Sequence, residues 1–512
     1  MNESSKETNE TLVEAEKTKG RVKDLTRNWK NIPTVIYTLI NEYLSRTEFL
    51  RLLNTSKTVF LDVKRETIYY NLGSTASVLF CKDTKFREFV LNQVYNPSKQ
   101  ISLDLFSHYQ RNLHNFYQNA INVHKLMIRD LERVTSVDLY GTIEELTIQN
   151  FEKLKIIQNF EKVKIFKIYD CPKFQSLSYR NDCLQDVLIA NCPSLRHTRG
   201  LERVPVLSFH FCRGLHDISN LGRHQKQLSL KGCVRLASVN HLGNIPELQI
   251  VDCPNVVDVS GLGNVPNLEI NNCPAISLDS LSLLNRNKKL KLALVPLQSY
   301  YHTGDCEKIE LVSLPLEDLS KGDLSGCKEF QLRFCERVID VSPLRHIDIV
   351  YLFRCHQIVD ISCLGGVQTL KVEVCRGITN LNGLGSIPNL SVYLCERLVD
   401  ISQLGQNRNV EICTCIRIED FSSLGSVESV AVIDCPQLIT AAPLQNVSYL
   451  KLERCNQLED VSMLGGVKSL QLIYCHRIES LRGLETVEKL VVIGGMEKDT
   501  AGLEKKRSVI IK

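Results

Sequence analysis

Twenty cysteines in a chain of 512 residues are the first feature with chemical potential, and their spacing decides what they can do. From Cys335 they recur at Cys355, Cys375, Cys395, Cys415, Cys435, Cys455 and Cys475, a strict period of 20, and upstream the same column holds Cys171, Cys192, Cys212, Cys233, Cys253 and Cys273. Thiolates hold zinc when four of them converge on a point. One thiol per repeat, on strands about 4.8 Å apart, forms a line instead. The column therefore predicts no metal site and no cofactor, but a ladder of small buried hydrophobes whose S–H groups bond neighbouring carbonyls. Off the column, Cys81, Cys183, Cys306, Cys327 and Cys363 follow no pattern, and Cys413 is expected to point outward from its strand, where it can react.

Other motifs carry less. Gly261-Leu-Gly263 and Gly383-Leu-Gly385 look like the start of a dinucleotide fingerprint, but proline follows each and neither opens a helix, so they read as turns. The chain has no phosphate-binding Gly-rich loop, no His-Glu-x-x-His, no Cys-x-x-Cys and no nucleophile elbow, and no histidine pairs with a nucleophile. These readings predict a protein that is not an enzyme. Arginine recurs two residues after the column cysteine at Arg235, Arg337, Arg397, Arg417 and Arg477. Such a row can hold an acidic partner, or it is a solvated rim paired with Asp340, Asp400 and Asp420; the rim is the favoured reading.

Hydrophobic residues make up 43% of the chain and charged ones 23%, which suits a folded core, and the net charge of +4 is too small to point to nucleic acid or an anionic membrane. No run of about 18 apolar residues exists, and Met1 to Lys30 is polar, so the chain is expected in the cytoplasm or nucleus with its thiols reduced.

The elements that position the column follow from what precedes each cysteine. Aliphatic or aromatic residues stand five and three positions earlier, as in Leu248 and Ile250 before Cys253 or Val350 and Leu352 before Cys355, and alternation at period 2 means a short strand. The same rule finds repeats without the cysteine, starting at Leu126, Leu146, Leu290, Ile309 and Leu490, for nineteen units in all. An atypical first unit, Ile101-Leu103-Phe106 with a short helix near Ser107 to Tyr117, and a closing strand Val509 to Ile511 are expected at the ends. After the cysteine come an aliphatic at +3 or +4, Asp at +5, Ser at +7, Leu at +9 and Gly at +10. Asp and Ser bond nearby N–H groups and Gly permits a bend, so this segment should be extended or 3₁₀, not helical.

In these residues the chain resembles the leucine-rich-repeat superfamily over about Ile101 to Ile511. The resemblance implies an α/β solenoid: a horseshoe or superhelix of about 20 units, with a parallel concave sheet and a largely non-helical convex side, preceded by a small helical N-terminal module.

That module begins after a charged tail, residues 1–30. Pro33 suits a first helical position, and Val35, Ile36, Leu39, Ile40, Tyr43 and Leu44 recur at 3.6 spacing; Phe49 and Leu50 open a second helix. Residues 31–70 read as a helical hairpin, 71–100 as a helical connector and 101–512 as the solenoid. From Ile32-Pro33 through Tyr43-Leu44, Glu48-Phe49-Leu50 and Ser56-Lys57 the hairpin resembles the F-box, with Val35 and Val59 departing from its usual residues. The resemblance implies a Skp-family adaptor of a cullin-RING ubiquitin ligase as partner, held by Pro33, Ile36, Ile40, Leu44, Phe49 and Leu50. It implies a substrate-recognition subunit of an SCF-type ligase; a scaffold with no ubiquitin role is the alternative. The protein substrate is expected on the sheet, where residues four and two before each cysteine point away from the core. There Tyr351, Phe353, Tyr393, Ile433, Ile473 and Ile493, with Tyr474 at a strand end, predict an exposed apolar stripe.

Overall fold

The computed structural model describes residues 70–91, 101–105, 123–139, 142–158, 162–177, 182–284, 286–299, 306–494 and 509–511. The F-box-like hairpin, apart from Tyr70, and the short helix expected after Phe106 lie outside the described residues. The chain divides into two compact units, Met1–Leu215 and His216–Lys512. Each is a parallel-sheet solenoid in which every turn contributes one strand to the main sheet.

In the N-terminal unit the sheet begins at Tyr70–Leu72, which pairs in parallel with Ile101–Leu105. This strand stands at the head of the segment expected to be a helical connector, and with three residues it is too short to show alternation. The connector's helices are Ser74–Lys82 and Thr84–Leu91. Buried Ser77 ties the first of them to the sheet: its hydroxyl donates to the Leu72 carbonyl at 2.5 Å and accepts from the Asp104 N–H at 2.9 Å. The sheet continues through Val123–Arg129, Ile143–Gln149, Ile165–Tyr169, Asp186–Ala190 and Val206–His210. On the return side of these turns lie three further short parallel strands, Ser136–Asp138, Ile156–Gln158 and Ser176–Leu177.

The C-terminal unit repeats one plan with less variation. The turn at Cys355 is representative: Val350 and Leu352 on the strand Ile349–Phe353 are fully buried, and after the cysteine the buried side chains are Ile358, Ile361, Leu364 and Val367. Their spacing of three matches 3₁₀ backbone, and the segment Ser362–Gly366 adopts it. The aliphatic position is thus +3, since the residue at +4 is exposed in this turn (Val359). Where aspartate stands at +5 it starts the 3₁₀ turn by accepting the N–H of the serine at +7, as Asp360 does from Ser362 at 2.8 Å, and Thr440 takes the same part for Ala442. Glycine at +10 is required by space, not by bending. Gly243 has an ordinary φ of −60°, but a Cβ there would lie 2.2 Å from the Gly261 carbonyl oxygen of the next turn. The expected closing strand is present as Val509–Ile511, parallel to Lys489–Ile493. Among the described residues no helix is long and apolar enough to cross a membrane.

All twenty cysteines are free, and the fourteen in the column are buried. Each column thiol from Cys335 to Cys475 donates to the carbonyl two residues earlier, and most also reach a carbonyl of the preceding turn; Cys355 Sγ lies 3.6 Å from Phe353 O and 3.7 Å from Leu332 O. Burial pushes the Cys375 and Cys435 thiols up to about 11, which keeps them protonated as donors. Two of the cysteines without a sequence pattern form a small ladder of their own. Cys306 and Cys327 stand where other turns place a buried aliphatic before the strand, and donate to Lys308 O and Glu329 O, both at 3.2 Å.

Candidate functional site

The residue just before the column position holds the geometry from which the site is built. In all nineteen units it has a positive φ, between +50° and +68°, and turns the chain out of the strand. Its N–H still joins the sheet by donating to the next strand, as Arg354 does to Glu373 O at 2.9 Å and Val374 to Tyr393 O at 2.9 Å. Left-handed backbone suits Gly, Asn and Asp, and costs other residues about 1–2 kcal/mol. Asp130, Asn150, Asp170, Asn191, Gly232, Asp252 and Asn272 fit that rule. Phe334, Arg354, Val374, Leu394, Thr414 and Tyr474 do not. Strain of this kind, concentrated in consecutive turns, is characteristic of binding surfaces.

Phe334 and Arg354 meet Phe353 on strand Ile349–Phe353, and outward residues of strands Glu329–Arg333, Thr369–Glu373 and Asn389–Tyr393 continue the cluster. The Phe334 ring packs edge-on against Phe353, centroids 4.9 Å apart, and Tyr351 lies 6.2 Å from Phe353. Two guanidinium groups sit against these rings: Arg333 is 5.5 Å from the Phe353 centroid and 5.8 Å from Tyr351, while Arg354 is 5.4 Å from Phe334 and 5.6 Å from Phe353. Lys371 bridges Tyr351 and Tyr393, 5.0 and 4.8 Å from their centroids. The Tyr351 hydroxyl donates to Glu373 at 2.7 Å, and Tyr393 donates to Glu411. Burial and these carboxylate partners raise both phenol pKa values, so both remain neutral donors. Arg333 contacts Glu310 at 3.4 Å, but its Nε is buried with no hydrogen-bond partner. The cluster offers aromatic faces, cations held over them and one buried donor still to be satisfied.

The expected stripe is only partly assembled. Tyr351, Phe353 and Tyr393 come together, but they are half-buried, and Glu373 stands between Phe353 and Tyr393 in the register. Ile433 is buried at 7% exposure and offers no open surface; neighbouring side chains shield it. Ile473 and Ile493 are paired on adjacent strands, separated from the aromatic cluster by Glu453, which bonds Lys451 and Arg454. Tyr474 occupies a left-handed corner, 44% exposed. Cys413 is half-buried, with its sulfur 3.4 Å from the Thr414 hydroxyl. Pro33, Ile36, Ile40, Leu44, Phe49 and Leu50 lie outside the described residues. Arg333, Phe334, Arg354 and Lys371 were not anticipated; the signal for the corner was the Asp, Asn or Gly that other repeats place there.

The arginine row does not pair with the aspartates of its own turns. Those carboxylates are taken by serine N–H groups, and Arg337 bonds Glu317 of the preceding turn at 3.0 Å while Arg477 bonds Gln457 and Glu459. On the sheet of the N-terminal unit lies a groove of about 730 Å³ lined by Asp104, His124, Lys125, Met127, Glu145 and Thr147. Its charges are internally matched. Lys125 and Lys167 bond Glu145 at 2.6 and 2.8 Å, and Arg129 bonds both oxygens of Asp104. Burial pushes the Glu145 carboxyl up, but its two lysines outweigh that and hold it below its ordinary value. Among the described residues no group of three or more His, Cys, Asp or Glu is placed to hold a metal ion.

Among solved structures the chain is similar to an internalin of Listeria monocytogenes, at 15% identity and a TM-score of 0.33, over 54% of this chain and 83% of that one. It is similar to TLR13 in complex with ssRNA13 at 14% identity and a TM-score of 0.46, over 80% and 73%. It also resembles the functional domain of InlJ from Listeria monocytogenes, described as including a cysteine ladder, at 13% identity and a TM-score of 0.24, over 77% and 73%. No protein-family model and no curated protein sequence matches the chain.

Proposed function

We propose that the chain is a non-catalytic binding scaffold that seats a protein partner on the sheet of its C-terminal unit, with residues 31–70 linking that partner to a Skp-family adaptor of a cullin-RING ubiquitin ligase. The aromatic–cation cluster around Phe353 carries the first half: aromatic and arginine side chains supply most of the energy at protein interfaces, and here strained backbone presents them. The F-box-like pattern from Pro33 to Lys57 supports the second half. Affinity purification with two paired variants separates the halves. Phe353→Ala with Tyr393→Ala is expected to lose the partner and keep the adaptor, and Leu44→Asp with Leu50→Asp to do the reverse. Adaptor capture unchanged by the second pair removes the ligase role and leaves a scaffold without ubiquitin function.

A further inference from the structure

The repeat builds a second surface on the C-terminal unit, apart from both the core and the sheet face. Four residues after the column cysteine stand Ile339, Val359, Val399 and Ile439, which are 64%, 57%, 51% and 66% exposed. The backbone here is extended: Val399 N–H donates to Thr379 O at 2.9 Å, and Asn380 and Asp400 form a parallel bridge. Extended backbone favours β-branched residues, but it does not demand apolar ones, since Thr379, Glu419 and Glu459 occupy the same position in other turns. With strands about 4.8 Å apart, the five steps across the six turns from Ile339 to Ile439 make a ridge about 24 Å long.

Opposite charges flank this ridge. On one side, two residues earlier in the turn, are Arg337, Arg397 and Arg417; on the other, one residue later, are Asp360, Asp400 and Asp420. Serine N–H groups hold these three carboxyls below their ordinary pKa, so the acidic row stays ionised. The ion pair from Arg337 to Glu317 joins two side chains more than half exposed, and such pairs exchange readily. A foreign partner would need only one sign of charge beside the ridge. A ridge with cations along one side and anions along the other is complementary to itself. When a second copy is turned by half a turn about an axis parallel to the ridge, each arginine row faces the other copy's aspartate row. A half-turn about an axis across the ridge sets like against like.

We propose that this ridge is an interface between two copies of the chain, aligned in parallel so that each ridge residue meets its own counterpart. Sedimentation velocity on the full chain is expected to show concentration-dependent association to twice 58.2 kDa. Ile339→Glu with Ile439→Glu, both at open positions, is expected to return it to 58.2 kDa with an unchanged circular dichroism spectrum. Alignment is read separately. In a chain whose accessible Cys183, Cys363 and Cys413 are replaced by Ser, Ile339→Cys and Ile439→Cys, each oxidised alone with oxidised glutathione, should each give a disulfide-linked dimer that the chain without the added cysteine does not. A chain that stays monomeric at every concentration, a dimer that survives the double Glu variant, or cross-linking only when the two Cys variants are mixed would overturn the proposal.

Discussion

The N-terminal unit and the later turns of the C-terminal unit close the same packing problem with different chemistry at the strand ends. In the N-terminal unit the left-handed corner belongs to Asp130, Asn150, Asp170 and Asn191, with Phe211 as the exception, and successive corners bond one another: Asn150 Nδ2 reaches Asp130 Oδ1, and Asn191 Nδ2 reaches Asp170 Oδ1, both at 2.8 Å. In the C-terminal unit Gly232, Asp252 and Asn272 keep to that rule, but from Phe334 to Tyr474 bulky, cationic and β-branched side chains take the same φ, with Asp434 as the exception. The contrast teaches that the fold does not need those residues there. At Phe334 and Arg354 the broken local rule sets a ring and a guanidinium against Phe353. On the N-terminal face Lys125 and Lys167 are both engaged by Glu145, so the face is built with its charges paired internally.

The largest expected effect tests that division of labour. Arg354→Ala with Phe334→Ala should weaken partner binding by about 30-fold or more, the scale of an interface hot spot. Lys125→Ala with Lys167→Ala in the N-terminal unit should change it by no more than about twofold, as near-neutral contacts do. Titration calorimetry with the captured partner decides, and equal losses from both pairs would erase the distinction between the faces.

Exchanging corners comes next. Val374→Gly relieves a β-branched left-handed residue and should stabilise its turn by about 1 kcal/mol, whereas Asn150→Val adds the same strain, loses the bond to Asp130 and should cost about 1–2 kcal/mol. In a solenoid such effects stay near the altered turn, so local amide exchange is the measurement. Two changes of the same sign would show that the corner is not where the units differ.

The strands and the thiol ladder were legible because both rest on strict periods: alternation fixes which side chains are buried, and the 20-residue step fixes how they stack. The corner was not, because φ is a property of the backbone that Phe334 or Val374 does not announce. Nor did buried amides stand out. Asn287 and Asn407 belong to a residue type that is mostly exposed, yet each is buried and donates to two carbonyls of the preceding turn, Asn407 to Leu384 O and Ile387 O at 2.9 and 2.7 Å. A polar side chain that replaces an aliphatic one inside a turn is tolerated only because those carbonyls were waiting for donors. The arginine row failed for a related reason: sequence nearness suggested aspartate partners that the serine N–H groups had already engaged.

The smallest effect concerns the return side of the turns, extended strands in the N-terminal unit and aspartate-capped 3₁₀ turns in the C-terminal one. Where the N-terminal turns put Ser136, Ile156 and Ser176, the later ones put Asp360, Asp400, Asp420 and Asp460, whose carboxyls are held below their ordinary pKa because they accept a serine N–H and hydroxyl. A carboxyl whose folded pKa is depressed contributes stability that is fully present above its unfolded value and is lost as pH falls through the folded one. These groups are almost wholly exposed, so solvent screens the contribution and each turn loosens by less than the corner exchange. Protection of the Ser362 and Ser462 amides should therefore be constant down to about pH 4 and fall below it, with Leu352 N–H in the sheet little affected. Asp360→Asn should remove that pH dependence at Ser362 alone, since an amide oxygen can accept the bond but does not titrate. Protection that is flat below pH 4 in the parent chain, or equally steep in the variant, would locate the acid sensitivity elsewhere, with Glu144 and Glu145 of the N-terminal unit next in line.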